Sequence, residues 1–486
     1  MRIVLYHPRG RAPVPGGRSI RSLACIMPPV GVLSLAAVLR REGHAVQVLD
    51  GALDERVDNG QWARRIAGLN PDLVGFSATT SAFADAYDVC CRVKELNPGI
   101  TTVFGGVHVS WGMGAILLDY PAIDLVVAGE GETPLTRLAA GEAPDRIAGV
   151  WSRADGLVRG GAGEAVQVDL DSLPFPAYDL LEGFPKRYLM PLFGYPRHPG
   201  ANIISSRGCV YRCSYCDRSV FGRSFRWNSP EYTFEQIRWL GREFGVRHVN
   251  FYDDLFTVNR ERVERLCGLL DGLRPRVTFN CIVRVGHIDQ ELIRMLKRAG
   301  CWMVSVGIES GDQAILDGHK EGLSLEAIRR DITRLHEAGL WVKGLFMMGF
   351  PGETEASIVR TREFACSLPL KDANMTAFTP FPGAPISAGI RDLGTLDEDW
   401  SRMDCIHFGF VSKDIGDREV LERHHGEFFK RFYDRPFMRR HVYPRVLLQS
   451  PHSLWRLIKG LPSFLSFYWS LDRAPAERWS APKDAT

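Results

Sequence analysis

Apolar and polar residues alternate along this chain in two separate blocks, each mixing a period near two with a period near 3.6. In the first block Arg2–Tyr6, Ala45–Leu49, Leu73–Ser77, Thr101–Phe104 and Asp124–Val127 are short apolar runs that predict strands. Between them Val30–Arg41 and Ala82–Leu96 carry apolar residues at helical spacing, closed by Gly43 and by Asn97-Pro98-Gly99. Strands alternating with helices predict parallel βαβ units with right-handed crossovers, hence a doubly wound sheet. Such a sheet binds ligands beyond the carboxyl ends of its strands. Ser77-Ala78-Thr79-Thr80, Gly105-Gly106-Val107-His108 and Gly129-Glu130-Gly131-Glu132 all fall there. Ala154-Asp155-Gly156, between Val150-Trp151 and Leu157-Val158, predicts a hairpin. Six prolines from Pro174 to Pro199 then predict an extended connector.

The second block runs from Ala201 to about Pro385. Strands are predicted over Asn202–Ser205, Val246–Tyr252, Val277–Cys281, Met303–Ile308, Val342–Met348 and Met375–Phe378. Amphipathic helices are predicted over Pro230–Phe244, Arg260–Leu270, Gln290–Ala299 and Leu325–Ala338. Six βα units fit a (βα)6 partial TIM barrel, whose functional groups gather at the strand C-termini. From about Leu396 the tail reads as helical and aromatic-rich, and Leu421–Gly460 holds nine Lys/Arg against three Asp/Glu. Pro451–Tyr468 mixes Trp455, Leu457, Ile458, Phe464 and Phe467 with Arg456 and Lys459. That pattern suits a helix packed on its own domain, and also a peripheral membrane contact. The α/β chain is thus expected to divide into residues 1–150, a hairpin and connector over 151–200, a barrel over 201–390 and a helical region over 391–486.

Composition narrows the function classes. The 486 residues exceed one ordinary domain. Sixty Lys+Arg against 57 Asp+Glu give a net charge of +3, which excludes a strongly polyanion-binding chain and argues against a nucleic-acid partner. Eleven cysteines, an odd number and scattered apart from one group of three, do not form a secreted disulfide framework. The opening MRIVLYHPRG has no signal-peptide pattern, and no apolar run reaches the roughly 18 residues of a spanning helix. A reducing cytoplasm is the expected compartment.

The one cysteine group is Cys209-Val210-Tyr211-Arg212-Cys213-Ser214-Tyr215-Cys216, a C-x3-C-x2-C spacing just after the strand predicted over Asn202–Ser205. Three thiolates on one short loop can hold three irons of a [4Fe–4S] cluster and leave the fourth iron open. A zinc site would need a fourth ligand, for which His198 is the one nearby candidate.

C-x3-C with an aromatic before the third cysteine, after the first strand of a (βα) barrel, resembles the radical S-adenosylmethionine (SAM) enzymes. The resemblance implies that Cys209, Cys213 and Cys216 bind the cluster and that SAM chelates the fourth iron. One electron from the reduced cluster then cleaves SAM to a 5′-deoxyadenosyl radical. It also implies SAM contacts at Tyr215 beside the adenine and at Asp253 and Asp254 near the amine, after the second strand. Arg284, after the third strand, would meet the carboxylate or the substrate. Val306-Gly307-Ile308-Glu309-Ser310 ends the fourth strand as a ribose-contacting motif, and Glu309 can accept bonds from two hydroxyls. Gly349-Phe350-Pro351-Gly352-Glu353-Thr354 matches the Gly-Pro-Gly turn after the fifth.

The first block resembles the cobalamin-binding domain found ahead of many such barrels. On that resemblance Ser77, Thr79, Gly105, Gly106, His108, Gly129 and Glu130 would line the cofactor, small residues letting the backbone approach it. No G-x-G-x-x-G opens the first helix, which argues against a dinucleotide. Proteins that ligate cobalt with histidine use D-x-H-x-x-G, whereas Leu5-Tyr6-His7-Pro8-Arg9-Gly10 keeps the His and Gly but lacks the Asp. Without a carboxylate partner the ring's orientation is unsupported, so His7 is expected not to ligate. Two cofactors imply a division of labour: the radical removes hydrogen from an unactivated carbon, methylcobalamin delivers a methyl group, and a second SAM restores it. The expected activity is C-methylation of a bulky small-molecule or natural-product substrate, with a flavodoxin or ferredoxin as reductant. The same subgroup includes the anaerobic magnesium-protoporphyrin monomethyl ester cyclase, so oxidative cyclisation or hydroxylation is the alternative. A methylthiotransferase would need a second cysteine cluster, and Cys25, Cys90 and Cys91 have the wrong spacing. A cobalamin sensor would need a DNA-binding module, which the basic tail lacks.

Overall fold

The structure, a computed structural model, describes residues 1–9, 25–54, 56–162, 167–191, 194–445, 454–456 and 458–459. Its first sheet contains β1 (Arg2–His7), β2 (Ala45–Asp50), β3 (Leu73–Ser77), β4 (Thr101–Gly105), β5 (Leu125–Val127), β6 (Val150–Ala154) and β7 (Leu157–Gly160). Their order is β2-β1-β3-β4-β5-β6-β7, the first five parallel. The predicted hairpin, β6 and β7, extends this sheet antiparallel at one edge. Helices α1 (Val30–Arg41), α2 (Asn59–Gly68), α3 (Phe83–Leu96), α4 (Val107–Gly112), α5 (Ala115–Asp119) and α6 (Glu132–Ala139) accompany it. Along β1, Ile3 and Leu5 are buried in one cluster and Val4 and Tyr6 in another, as both faces of a covered parallel sheet require.

The second sheet contains β8 (Gly200–Ile203), β11 (His248–Phe251), β12 (Thr278–Val283), β13 (Cys301–Glu309), β14 (Trp341–Met348) and β15 (Asp372–Ala377). All pair in parallel and in chain order from one edge to the other, so the sheet curls as a half-barrel with β8 and β15 at its edges. A two-stranded ribbon of β9 (Ser206–Arg207) and β10 (Arg226–Trp227) lies between β8 and β11 in the chain. Helices α7 (Pro230–Phe244), α8 (Arg260–Gly272), α9 (Gln290–Ala299), α10 (Gln313–His319), α11 (Leu325–Glu337) and α12 (Glu355–Ser367) connect the strands. Each starts where a short polar side chain accepts a backbone N–H of the first turn: Ser229, Asn259, Asp289, Asp312, Ser324 and Thr354.

Two expectations change. The Pro174–Pro199 connector is packed between the sheets: the buried Tyr178 hydroxyl donates to Asn202 O at 2.5 Å and Tyr188 donates to Asp50 at 3.0 Å. The region after Leu396 is also not wholly helical. α13 (Ile390–Leu393) is followed by antiparallel strands β16 (Gly394–Leu396) and β17 (Phe410–Ser412), and then by α14 (Arg418–Tyr433). Phe410 and Leu396 join Phe350 and Phe378 in one apolar cluster, so burial against the barrel overrides the helical pattern. Most of Pro451–Tyr468 lies outside the described residues, although Arg456 is buried and donates to Met190 O and the Tyr195 hydroxyl. Among the described residues no helix is long and apolar enough to cross a membrane.

The two sheets meet through charges that are buried or partly buried. Arg207 donates to Glu130 at 2.5 Å and to Glu132 at 2.6 Å, and Arg226 also donates to Glu130. Burial opposes ionisation of Glu132, but the Arg207 guanidinium beside it holds the carboxyl below the usual range, and Ser34 donates to it at 2.9 Å. Arg207→Met would leave Glu132 buried without its cation, and the expected loss in urea unfolding is about 3–5 kcal/mol. Adding Glu132→Gln should recover part of that loss; strictly additive losses would show that the two side chains act separately.

Candidate functional site

The cysteine loop hangs from the C-terminal end of β8 and is held at its root by one carboxylate. Asp253, just after β11 and buried, accepts from Ser205 N, Ser205 Oγ and Ser206 Oγ, each at 2.7 Å, and from Arg262 at 3.4 Å. Four bonds exhaust a carboxylate's lone pairs. Arg262, itself buried, also donates to Ser205 O at 3.0 Å. Gly208 then turns the chain at φ +86°, and a Cβ there would stand 2.0 Å from Ser224 O, so the loop closes only with glycine. Asp254, unlike Asp253, faces the loop: it accepts Gly208 N–H at 3.1 Å, and burial raises its pKa.

On this loop burial pushes the Cys209 thiol up, and burial together with the neighbouring Cys213 pushes Cys216 up to about 12. A bound cation would favour the thiolate forms of Cys209 and Cys216. Among the described residues no three His, Cys, Asp or Glu side chains converge on a point where a single metal ion would sit. Three thiols that each meet a different iron have no need to converge. The loop is pinned further by His319, which lies at the end of α10. Its Nδ1 meets Ser214 Oγ at 2.9 Å and its Nε2 meets Pro351 O at 2.9 Å. Arg284 does not project freely into the barrel mouth; it stacks 3.6 Å over the Tyr211 ring and donates to Glu321 O.

The remaining expected SAM contacts separate into open and occupied groups. Tyr215 packs edge-on against Phe350 at 5.5 Å, and burial raises its hydroxyl pKa. Glu309 sits at φ +67°, where the register of β13 against β14 shifts. A non-glycine residue there costs about 1–3 kcal/mol. Its Oε1 accepts from Lys320 Nζ at 2.6 Å, while Lys320 also donates to Gly307 O at 2.8 Å. Lys320 was not among the expected site residues, since nothing in its sequence setting marks it. Ser310 is buried and spends its hydroxyl on Thr361 and on the Asp312 N–H. Gly349 N donates to Glu353 at 2.6 Å, and Phe350 N donates to the same oxygen at 3.2 Å. The Asp253 carboxylate, the Ser310 hydroxyl and the Gly349 N–H are therefore taken up by bonds within the turns around the site.

At the C-terminal edge of the first sheet Asp50 pairs in register with His7, and Ser77 with Gly105. Gly106 adopts φ +99°, and a Cβ on it would meet Ala78 O at 2.7 Å. Ser77 is half-buried and Thr79 exposed, its hydroxyl 3.4 Å from Ser81 Oγ. Gly129 adopts φ +80°, and a Cβ on it would stand 3.7 Å from Val220 O on the cysteine loop. A cavity of about 320 Å³ opens beside Gly129, lined by Ser110, Gly129, Gly149, Gly161 and Ser219 among others. Glu130 is drawn out of this role into the ion pairs with Arg207 and Arg226. His108 is buried with neither ring nitrogen bonded, 4.3 Å from Phe83 and 4.4 Å from Trp400, and burial lowers its pKa to about 4. The expectation that His7 lacks a carboxylate partner is wrong. Asp50, the residue beside it at the end of β2, takes its Nδ1 at 3.0 Å.

The chain matches the radical SAM superfamily over residues 203–365 and the B12 binding domain over residues 20–139. It is 32% identical to an uncharacterized methyltransferase of Pyrococcus horikoshii, over 73% of this chain and 77% of that one. It is 28% identical to the anaerobic magnesium-protoporphyrin IX monomethyl ester cyclase of Rubrivivax gelatinosus, over 90% of this chain and 78% of the relative. Its fold is similar to that of OxsB, a cobalamin-dependent S-adenosylmethionine radical enzyme, with a TM-score of 0.69 and 16% identity over 87% of this chain and 65% of that one. It is also similar to the radical SAM methyltransferase TsrM of Kitasatospora setae, with a TM-score of 0.63 and 21% identity over 80% of this chain and 75% of that one.

Glu353 gives a pH dependence. Burial raises its pKa to about 8, against about 4.3 for an unfolded glutamate. The folded form thus holds a proton that the unfolded form has lost, and stability falls as pH rises through 8. Thermal unfolding between pH 6 and 9 should show this slope, and Glu353→Gln should flatten it; an equal slope in both proteins would remove the assignment.

Proposed function

Because this chain belongs to the radical SAM superfamily, among the members that carry a B12 binding domain ahead of the barrel, we propose that it methylates an unactivated carbon of a bulky small molecule. The observation that carries the reading is the Arg207–Glu130–Glu132 contact, which sets the first sheet's C-terminal edge against the cysteine loop. The donor set fits the groups the family implies. Cys209, Cys213 and Cys216 are free thiols on one loop, and Ser77 and Gly105 sit side by side at the C-terminal edge of the first sheet, where such a sheet takes its ligand. Bound there, the reduced cluster supplies the electron that cleaves SAM, and cobalamin supplies the methyl group.

The protein's own groups bind and orient. Asp254, open beside Gly208, offers an acceptor for the cationic amine of SAM. Glu309 offers its remaining lone pairs to the ribose hydroxyls, while Lys320 holds the carboxylate in place. Tyr215, against Phe350, gives the adenine an aromatic wall. Asp253 and His319 touch neither SAM nor substrate in this reading; they fix the two ends of the loop on which the thiols sit. An electron donor of the flavodoxin or ferredoxin type would reduce the cluster. Ring closure is the second reading, favoured by the cyclase relative that spans 90% of this chain.

The reconstituted chain, given methyl-labelled SAM, a reductant and the low-molecular-weight fraction of its source cells, should yield 5′-deoxyadenosine and a labelled product. A product of altered mass without label would favour ring closure. No SAM cleavage at full iron content would overturn both readings. Cys213→Ala should lose iron and sulfide together. Glu309→Ala should weaken SAM binding roughly 10- to 100-fold at unchanged iron content, measured by equilibrium dialysis.

A further inference from the structure

The first sheet reverses its winding between β1 and β3, since β2 lies on one side of β1 and β3 on the other. A doubly wound sheet opens its ligand crevice at that reversal, beyond the carboxyl ends of the strands. His7 is the last residue of β1 and stands there. Tyr6 pairs with Phe76, so His7 comes level with Ser77, and Ser77 pairs with Gly105. Asp50, His7, Ser77 and Gly105 thus form one row along the edge.

Within that row the imidazole is held in one orientation. Asp50 has 1% of its side chain exposed and accepts from three donors at 3.0 Å each: Ala52 N–H, the Tyr188 hydroxyl and His7 Nδ1. A carboxylate so placed is an acceptor, so Nδ1 carries the ring proton and Nε2 carries the lone pair. His7 is 32% exposed at its side chain. This arrangement, a histidine whose far nitrogen is anchored by a carboxylate, fixes the tautomer and orientation of the ring for a metal ligand. The missing Asp of D-x-H-x-x-G is therefore replaced in space, from a different strand.

We propose that His7 Nε2 is an axial ligand of the cobalt when cobalamin is bound, a step that rests on the first sheet being the cobalamin site. The Nε2 lone pair forms the Co–N bond and displaces the group on that face, either water or the cofactor's own benzimidazole. Nδ1 keeps its proton on Asp50, so no proton is released. His108 does not compete for the cobalt: its ring lies between Phe83 and Trp400, with no room for a corrin.

The test is electron paramagnetic resonance of the full chain loaded anaerobically with cob(II)alamin. An axial ¹⁴N splits each cobalt line into a triplet and an axial ¹⁵N into a doublet. Protein grown with ¹⁵N-histidine should give doublets; His7→Gln should abolish the nitrogen splitting and His108→Phe should retain it. Triplets that persist in the ¹⁵N-histidine protein would assign the axial nitrogen to the benzimidazole and overturn the proposal. Bound cobalamin without nitrogen splitting would overturn it as well. Failure to retain cobalamin would instead overturn the cofactor reading on which it rests. The labelled wild-type chain decides between these outcomes even if His7→Gln does not fold.

Discussion

A charge taken out of water without a partner costs several kcal/mol, and where the two sheets meet the buried Glu132 and the partly buried Glu130 are paired with Arg207 and Arg226. Arg207 and Arg226 come from the ribbon that frames the cysteine loop, Glu130 and Glu132 from the turn after β5. These ion pairs place the first sheet's C-terminal edge on the root of the cysteine loop, and Gly129 takes the left-handed turn there at φ +80°. Everything assigned to the site follows from this contact, since a large cofactor on one sheet and a cluster on the other are useful only if they share one mouth.

The remaining precision comes from small polar groups consumed within the fold. Asp253 takes three bonds from the strand end that enters the loop and a fourth from Arg262, and His319 uses both nitrogens to tie the loop to the turn after β14. Glu309 is held in an unfavourable backbone region, and its pairing with Lys320 offsets part of that strain. The side chains left open, Asp254 and Tyr215 among them, therefore project from a loop and strands with little freedom of their own.

What was legible in the sequence was local. Helices over Val30–Arg41, Pro230–Phe244 and Gln290–Ala299 match their predicted bounds, because a periodic apolar face and a flanking cap lie in one window. The cysteine spacing is local for the same reason. The misses join distant residues. Lys320 meets Glu309 only because α10 follows a bulged strand, and Glu130 meets Arg207 only across two folding units. Asp50 was within reach: it ends the strand beside β1, so parallel register alone sets it against His7. The tail misread had another cause, since Leu396 and Phe410 answer to apolar neighbours on the barrel rather than to their own periodicity.

Trp400 carries a consequence for how the molecule assembles. It packs against Phe83 and His108, which belong to the first sheet's layer, although it is made after the whole barrel. Domains tend to fold in order as the chain emerges from the ribosome. The first sheet therefore waits through synthesis of the barrel with one aromatic pocket unsealed, and closes only when the strap beyond β16 arrives.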